Sequence, residues 1–181
     1  MFLLSYAYWY KIISGGIYNM NNAYCYETII GKITIVENGV GIIRVNFGEQ
    51  IPENTNVFET PLLKKANREL QEYFNGKRKS FDLPLVPQGT EFQQRVWRAL
   101  QAIPYGETLS YKDIAINVDN SKASRAVGMA NNRNPIPIII PCHRVIGANG
   151  SLVGYGGGLN IKEKLLEIEK NGRCTSWTSE I

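Results

Sequence analysis

The chain has 181 residues, of which 44% are hydrophobic and 20% charged, and a formal net charge of +4. This size and composition are typical of a globular protein with one ordinary domain or two small ones, and the mild positive charge permits a nucleic-acid partner without requiring one. Three scattered cysteines (Cys25, Cys142 and Cys174) and a single histidine argue against a disulfide framework and a structural zinc site. We therefore expect no metal, no cofactor and a reducing compartment, the cytoplasm.

The first nineteen residues, MFLLSYAYWYKIISGGIYN, form an apolar and aromatic segment interrupted by Lys11. The segment has no basic start, no small-residue cleavage signal and no apolar run of membrane-spanning length, so we expect neither a signal peptide nor a membrane helix. Met20 precedes a cleaner domain start. We interpret residues 1–19 as an extension, or as the product of an upstream start that is not always used.

The next part of the chain predicts strands followed by a helix. Within a strand-like pattern from Tyr24 to Gly48, KITIVENGVGIIRVNFG predicts two strands joined at Glu37-Asn38-Gly39. Residues 60–74 predict a helix, since Thr60 can cap it and Pro61 suits its first turn. The expected apolar stripe of this helix is Leu63, Ala66, Leu70 and Phe74.

Three shorter helical patterns follow. Thr90 and Gln93 form a capping box for the first, and Ser110 with Asp113 can start the second. The third, KASRAVGMANN, starts at Asn120 or Ser121. Two short helices joined by a tight turn indicate a helix-turn-helix, although many such pairs bind nothing. We predict four parts: an extension (1–19), an N-terminal α/β domain (20–83), a linker (84–89) and a C-terminal DNA-binding and active-site domain (90–181).

The stretch from Asn120 to Lys162 contains no Asp or Glu, which suits a surface that faces phosphates. Its third helix carries mostly small side chains, with Arg125 as the long polar side chain in the middle. Such a helix either packs tightly against another helix or approaches a nucleic-acid groove closely. The basic residues of this stretch are Lys122, Arg125, Arg133, Arg144 and Lys162.

A thiol and the only imidazole of the chain stand together at the end of the apolar run IPIIIP. A buried cysteine is usually an inert small hydrophobe, but the adjacent His143 can take the proton of Cys142. A papain-like site, which needs a distant histidine, is nearly excluded. Glu169 falls inside the apolar arc of the last helix, where it either meets a buried partner or lies exposed at the helix end.

Two loops flank the thiol. Asn134, which precedes Pro135, can pin a turn by bonding backbone, or it is an ordinary loop residue. The glycine loop GYGGGL at 154–159 can let a flat ligand approach the backbone closely.

Together these segments resemble the O6-alkylguanine-DNA alkyltransferases, the methylated-DNA–protein-cysteine methyltransferases. The similarity runs from Thr90 to Glu169 through FQQRVW, IPYGETLSYKDIA, SRAVGMA, NPIPIIIPCHRV, GYGGGL and KEKLLEIE. PCHRV in this context is highly specific, whereas residues 24–74 match in layout alone. The resemblance implies an α/β fold, with a small N-terminal strand-and-helix domain of RNase H-like layout and a helical C-terminal domain containing a helix-turn-helix.

The resemblance also implies roles at the reacting centre. Cys142 would accept the alkyl group, His143 would act as its base through a water, and Glu169 would orient His143. Asn134 would order the active-site turn. Tyr111 would lie against the phosphate of the flipped nucleotide and assist protonation of the leaving guanine.

The DNA surface is implied in the same way. Arg125 would fill the gap that the flipped nucleotide leaves in the stack. The other implied DNA contacts are Lys122, Ser124, Ala126, Gly128, Gln93 and Asn120, and the implied base pocket is Val145, Tyr155, Gly156 and Gly157. The partner would be double-stranded DNA containing O6-alkylguanine, approached from the minor groove by a monomer that contacts no membrane.

The implied function is DNA repair by direct reversal, in which the protein irreversibly takes an alkyl group from O6-alkylguanine, and from O4-alkylthymine, in a single turnover. The alternatives are a non-catalytic helix-turn-helix protein that flags alkylated bases, and a cysteine hydrolase. The chain departs from some family members in lacking the ligands of an N-terminal zinc site. It also carries Gly156 where some members place a polar side chain, which leaves the tolerance for bulky alkyl groups open.

Overall fold

The computed structural model of the protein describes residues 21–171, so the predictions for residues 1–19 and for Cys174 lie outside the described residues. The described chain is mixed α/β, with a sheet and one helix first and a cluster of helices after them. This arrangement confirms the predicted fold class. None of the helices described is long and apolar enough to cross a membrane.

The N-terminal part is a four-stranded sheet covered by one helix. The strands are β1 (Asn21–Thr28), β2 (Gly31–Glu37), β3 (Ile42–Phe47) and β4 (Thr55–Val57). The sheet order is β3-β2-β1-β4, antiparallel throughout except that β1 and β4 run parallel. The predicted β2–β3 hairpin is confirmed, and the Asn38 side chain accepts hydrogen bonds from the Val40 and Gly41 N–H groups in its loop. The short edge strand β4 was not predicted.

The predicted helix is α1 (Pro61–Phe74). The Thr60 hydroxyl accepts a hydrogen bond from the Leu63 N–H, and Pro61 lies in the first turn, as predicted. All four residues of the predicted stripe are buried. Tyr73 is buried on the same face, and its hydroxyl reaches the C-terminal domain.

The C-terminal part consists of four helices, a two-stranded parallel sheet and a short 3-10 turn. The elements are α2 (Glu91–Gln101), β5 (Leu109–Ser110), α3 (Tyr111–Asn117), α4 (Ser124–Asn132), the 3-10 turn Cys142–Arg144, β6 (Val145–Ile146) and α5 (Leu159–Asn171). The capping box predicted for α2 is present, and the predicted start of α3 at Ser110 with Asp113 is also a complete capping box.

The predicted start of the next helix was wrong: α4 begins at Ser124, and neither Asn120 nor Ser121 caps it. Residues 120–123 form a separate turn in which the Ala123 N–H donates to the Asn120 carbonyl.

Backbone hydrogen bonds connect β3 to the rest of the chain on both sides. The proline-marked segment after α1 runs beside β3, where the Ile42 N–H donates to Pro84 and the Val86 N–H donates to Ile42. The Val45 N–H donates to the Pro135 carbonyl at 2.9 Å. Since Pro135 lies in the segment that leads to Cys142, the sheet is attached directly to the neighbourhood of the thiol.

Candidate active site

Cys142 is held at the end of a turn braced by Asn134. The Asn134 amide donates to the Ile140 carbonyl at 2.8 Å, and its oxygen accepts from the Ile136 N–H at 3.0 Å. This is the backbone bonding that the sequence indicated. Ile138 in the same turn has φ of 74°, an uncommon conformation for a β-branched residue that persists where the surroundings hold it. The turn places Cys142, 4% exposed, at the start of the 3-10 turn.

The carboxylate of Glu169 is buried beside His143. His143 is fully buried, and its Nε2 lies 2.8 Å from Glu169 Oε1. The sequence left open whether Glu169 meets a buried partner or lies exposed at the helix end, and the structure places it at 5% exposure against the only histidine of the chain. The Nε2 atom donates to Glu169, which leaves the Nδ1 lone pair as the basic atom of the ring.

Two further side chains that the sequence analysis did not assign to the site also bind Glu169. Arg144 donates through Nε at 3.0 Å to Oε2 and through Nη2 at 3.0 Å to Oε1, and the Tyr73 hydroxyl donates to Oε1 at 2.7 Å. The Gly106 N–H donates to Oε2 at 3.0 Å. A buried carboxylate needs several charge-assisted hydrogen bonds, and these donors supply them.

The interpretation of the whole acid-free stretch as a phosphate-facing surface was wrong for two of its five basic residues. Arg144 is 6% exposed and Lys162 is fully buried. The Lys162 ammonium donates to the carbonyls of Val145 at 2.6 Å and Val153 at 2.9 Å. These two cations therefore stabilise the site from inside, and the exposed basic residues of the stretch are Lys122, Arg125 and Arg133.

The site holds a thiol and a neutral imidazole at neutral pH. Burial raises the pKa of Cys142 to about 11, although the Asn134 amide and the charge of Lys162 oppose the shift. Burial lowers the pKa of His143 and outweighs its hydrogen bond with Glu169. Burial alone would raise the pKa of Glu169, but the hydrogen bonds of His143 and the charge of Arg144 lower it to about 2. Because Arg144 is always charged, it is the partner that keeps Glu169 ionised.

A cavity of about 240 Å³ opens beside Cys142. Of the four residues predicted for the base pocket, Tyr155 and Gly156 line this cavity, whereas Val145 and Gly157 do not: the Val145 carbonyl accepts from Lys162, and Gly157 packs against Phe47. Four buried polar side-chain atoms of the described residues have no hydrogen-bond partner: the Tyr26 hydroxyl, the Tyr155 hydroxyl, Asn131 Oδ1 and His143 Nδ1. Such atoms are rare, and two of them belong to residues that line the cavity, Asn131 and Tyr155, which indicates a place where a polar ligand can bind.

The other predicted DNA residues lie on or near helices α3 and α4. Arg125 and Ala126 are exposed on α4, Ser124 and Gly128 are partly exposed, and Lys122 and Asn120 are exposed in the turn before it. Tyr111 begins α3, and its hydroxyl donates to the Val153 carbonyl at 3.2 Å. Gln93 lies on a different helix, α2, where its side-chain oxygen accepts a hydrogen bond from the Thr90 N–H in the capping box.

The sequence of the chain is similar to a defined group of curated proteins. It is 53% identical over 154 residues to the methylated-DNA–protein-cysteine methyltransferase of Methanosarcina acetivorans, covering 82% of this chain and 97% of that protein. The models of the 6-O-methylguanine DNA methyltransferase ribonuclease-like domain and DNA binding domain match residues 23–87 and 91–171. The chain belongs to the 6-O-methylguanine DNA methyltransferase family. The predicted family and its ribonuclease-like N-terminal layout are thereby confirmed.

Further relatives of the family agree in sequence and in fold. The constitutive enzyme of Bacillus subtilis is 50% identical over 152 residues, covering 80% of this chain and 92% of its own. The Mycobacterium tuberculosis OGT, solved in complex with DNA, is 44% identical with a TM-score of 0.80, covering 85% of this chain and 96% of that one. Both domain models of the family are therefore matched in this chain, the ribonuclease-like domain before the DNA binding domain.

Proposed function

We propose that this protein repairs DNA by transferring the alkyl group of O6-alkylguanine, and of O4-alkylthymine, to the sulfur of Cys142. Alkyl transfer from DNA to a protein cysteine follows from membership of the family and from the names of its relatives. The observation that carries the choice of residue is the buried Cys142, which lines a cavity and is followed by a histidine paired with a buried carboxylate. Cys25, the other cysteine of the described residues, lies on β1 and not in this cavity.

The proposed reaction begins with activation of the thiol. His143 Nδ1 takes the Cys142 proton through a water, and Glu169 stabilises the imidazolium that forms. The thiolate then attacks the alkyl carbon, so that a carbon–sulfur bond forms as the bond from carbon to O6 breaks. The electron pair of the broken bond goes to the guanine, which takes a proton from the Tyr111 hydroxyl and leaves, and the proton held by the His143 imidazolium returns through solvent to the Tyr111 phenolate. Burial and the nearby Cys142 raise the pKa of Tyr111, which keeps its hydroxyl protonated at neutral pH.

We place the DNA on the face of helices α3 and α4. The alkylated atom lies on a base edge inside the duplex, so the nucleotide must be extruded before Cys142 can reach it. The small side chains of α4 allow a close approach to the narrow minor groove, and exposed Arg125 is long enough to fill the vacated position in the stack. Most contacts then involve the DNA backbone, because alkylated guanines occur in any sequence.

Each molecule acts once and alone in this proposal. The product is a thioether, which offers no good leaving group, so the free thiol is not regenerated. A monomer suffices, since the proposed groups all come from one chain. Cys142 must stay a reduced thiol before it reacts, which favours the cytoplasm.

The test is a titration of the protein with duplex DNA that contains O6-[³H-methyl]guanine, followed by intact-mass measurement. We expect a plateau at one methyl group per protein molecule and none on Cys142→Ser, which should still bind DNA. Cys25→Ser is the matched control and should accept the methyl group as the wild type does. Methylation of Cys142→Ser would contradict the assignment, and lesion binding without any methyl transfer would favour a non-catalytic binder.

A further inference from the structure

The cavity beside Cys142 is closed on one side by the N-terminal domain. Its lining includes the end of β3 and the loop after it, which face the active-site turn and the glycine loop of the C-terminal domain. Phe47, the last residue of β3, is the aromatic side chain among these N-terminal residues. The N-terminal lining residues are Val45, Asn46, Phe47 and Gln50.

The Phe47 ring packs against the pocket residues themselves. Its centroid lies 5.7 Å from that of Tyr155, with the two ring planes at 60°, an edge-to-face arrangement that aromatic pairs favour. Gly157 also lies close to the ring, since a Cβ atom added there would be only 2.8 Å from a carbon of the Phe47 ring. The ring is thus in van der Waals contact with the glycine loop and with Tyr155 at once.

The backbone that carries Phe47 is fixed relative to Cys142. Two residues before Phe47, the Val45 N–H donates to the Pro135 carbonyl at 2.9 Å, next to the brace at Asn134. On the other side, the Asn46 amide donates to the Gln50 carbonyl at 2.8 Å and closes the loop. The backbone at Phe47 therefore cannot move away from the cavity without breaking the hydrogen bond to Pro135, and the ring is held by its contacts with Tyr155 and Gly157.

We propose that Phe47 sets an upper limit on the size of the alkyl group that Cys142 accepts. This inference rests on the proposed function. A methyl group adds one carbon at the sulfur and leaves the cavity wall in place, whereas a benzyl group must extend past that carbon into a cavity of about 240 Å³ that also has to hold the base. Extra atoms of a substrate that press against a closely packed wall cost free energy. Substrates that differ by a few methylene groups in such a pocket therefore differ in reaction rate by about tenfold or more.

The test compares single-turnover rates with duplex oligonucleotides that carry O6-methylguanine or O6-benzylguanine. Phe47→Ala should raise the benzyl-to-methyl rate ratio by about tenfold, because it removes the ring from the wall. Phe47→Leu, which keeps an apolar side chain on the strand, should raise the ratio by a smaller factor and serves if the alanine variant does not fold. Phe58→Ala is the matched control, since Phe58 is 61% exposed in the same domain, and it should leave the ratio unchanged.

The outcomes separate this inference from the function on which it rests. A ratio that stays at the wild-type value, or falls, in folded Phe47→Ala or Phe47→Leu overturns the role of Phe47 while methyl transfer continues. A wild-type protein that transfers no methyl group overturns the proposed function instead.

Discussion

Replacing Tyr73 with phenylalanine removes a hydroxyl group that the N-terminal domain contributes to the buried site. The side chain is fully buried, and the hydroxyl donates to Glu169 at 2.7 Å. Hydrogen bonds to charged groups contribute about 1.5–3 kcal/mol. Because Glu169 keeps its donors from His143, Arg144 and the Gly106 N–H, no acceptor is left unpaired in the variant. We therefore expect a loss at the low end, about 1.5 kcal/mol in the free energy of unfolding.

For a chain of this length, such a loss corresponds to a fall in Tm of about 3–6 °C. Tyr105→Phe is the matched control, since its half-buried hydroxyl donates at 3.2 Å to the uncharged carbonyl of Ile168. A hydrogen bond to a neutral acceptor contributes about 0.5–1.5 kcal/mol, so this variant should lose less. The assay is thermal unfolding of both variants, together with the rate of reaction with free O6-benzylguanine.

Three results would refute the reasoning about Tyr73. Equal falls in Tm for the two variants would show that the charge of Glu169 adds nothing to the bond. A fall beyond about 10 °C would correspond to several kcal/mol, and would show that the remaining donors do not hold Glu169. A reaction rate with the free base that drops far more than a few-fold would show that the hydroxyl does more than support Glu169.

The remaining predictions concern Cys142, Arg125 and Lys162. Burial raises the pKa of the folded Cys142 thiol to about 11, so the contribution of the thiol to stability is complete below about pH 9 and is lost as the pH rises through 11. Cys142→Ala should therefore reduce the fall in the free energy of unfolding between pH 9 and 11, measured by urea denaturation, and a variant curve parallel to the wild-type curve would contradict this. Arg125→Ala should slow repair of duplex DNA at least about tenfold but spare free O6-benzylguanine, which needs no extrusion, and equal losses on both substrates would exclude a role in flipping. Lys162→Met should shift the pH–rate profile for the free base to higher pH, because the charge of Lys162 lowers the pKa of the thiol; an unshifted profile would leave Lys162 a packing role alone.

Local features of the chain were predictable because their determinants lie within a few residues of each other. The capping box of Thr90 and Gln93, and the turn pinned by Asn134, each use side chains that bond backbone two to six residues away. The prediction of where α4 begins was wrong, although its determinants are also local. Asn120 and Ser121 both have side chains that can cap a helix, and the sequence does not show that the chain makes a further turn before Ser124.

The burial of Arg144 and Lys162 was not predicted, because the absence of acidic residues between Asn120 and Lys162 was interpreted as the property of a surface that faces phosphates. A signal was present for Lys162, which falls three residues before Leu165 on the buried face of α5. A lysine in that position must bury its ammonium against acceptors, and the Val145 and Val153 carbonyls supply them. For Arg144 the matching signal was Glu169: burial, one of the two alternatives that the sequence left open for this carboxylate, requires a positively charged or donating partner.

Tyr73 and Phe47 could not be placed at the site from sequence, because each meets it across a long separation in the chain. Tyr73 and Glu169 are 96 residues apart, and Phe47 meets Tyr155 only after the sheet and the glycine loop have packed together. The reacting groups proposed here all belong to the C-terminal domain, yet the N-terminal domain donates a hydrogen bond to their buried carboxylate and forms one wall of their cavity. The backbone bond from Val45 to Pro135 holds the end of β3, and with it the wall of the cavity, against the segment that leads to the thiol. Substitutions in the N-terminal domain are therefore expected to reach the chemistry by two separate routes, the hydrogen bond from Tyr73 on α1 to Glu169 and the shape of the cavity through Phe47 on β3.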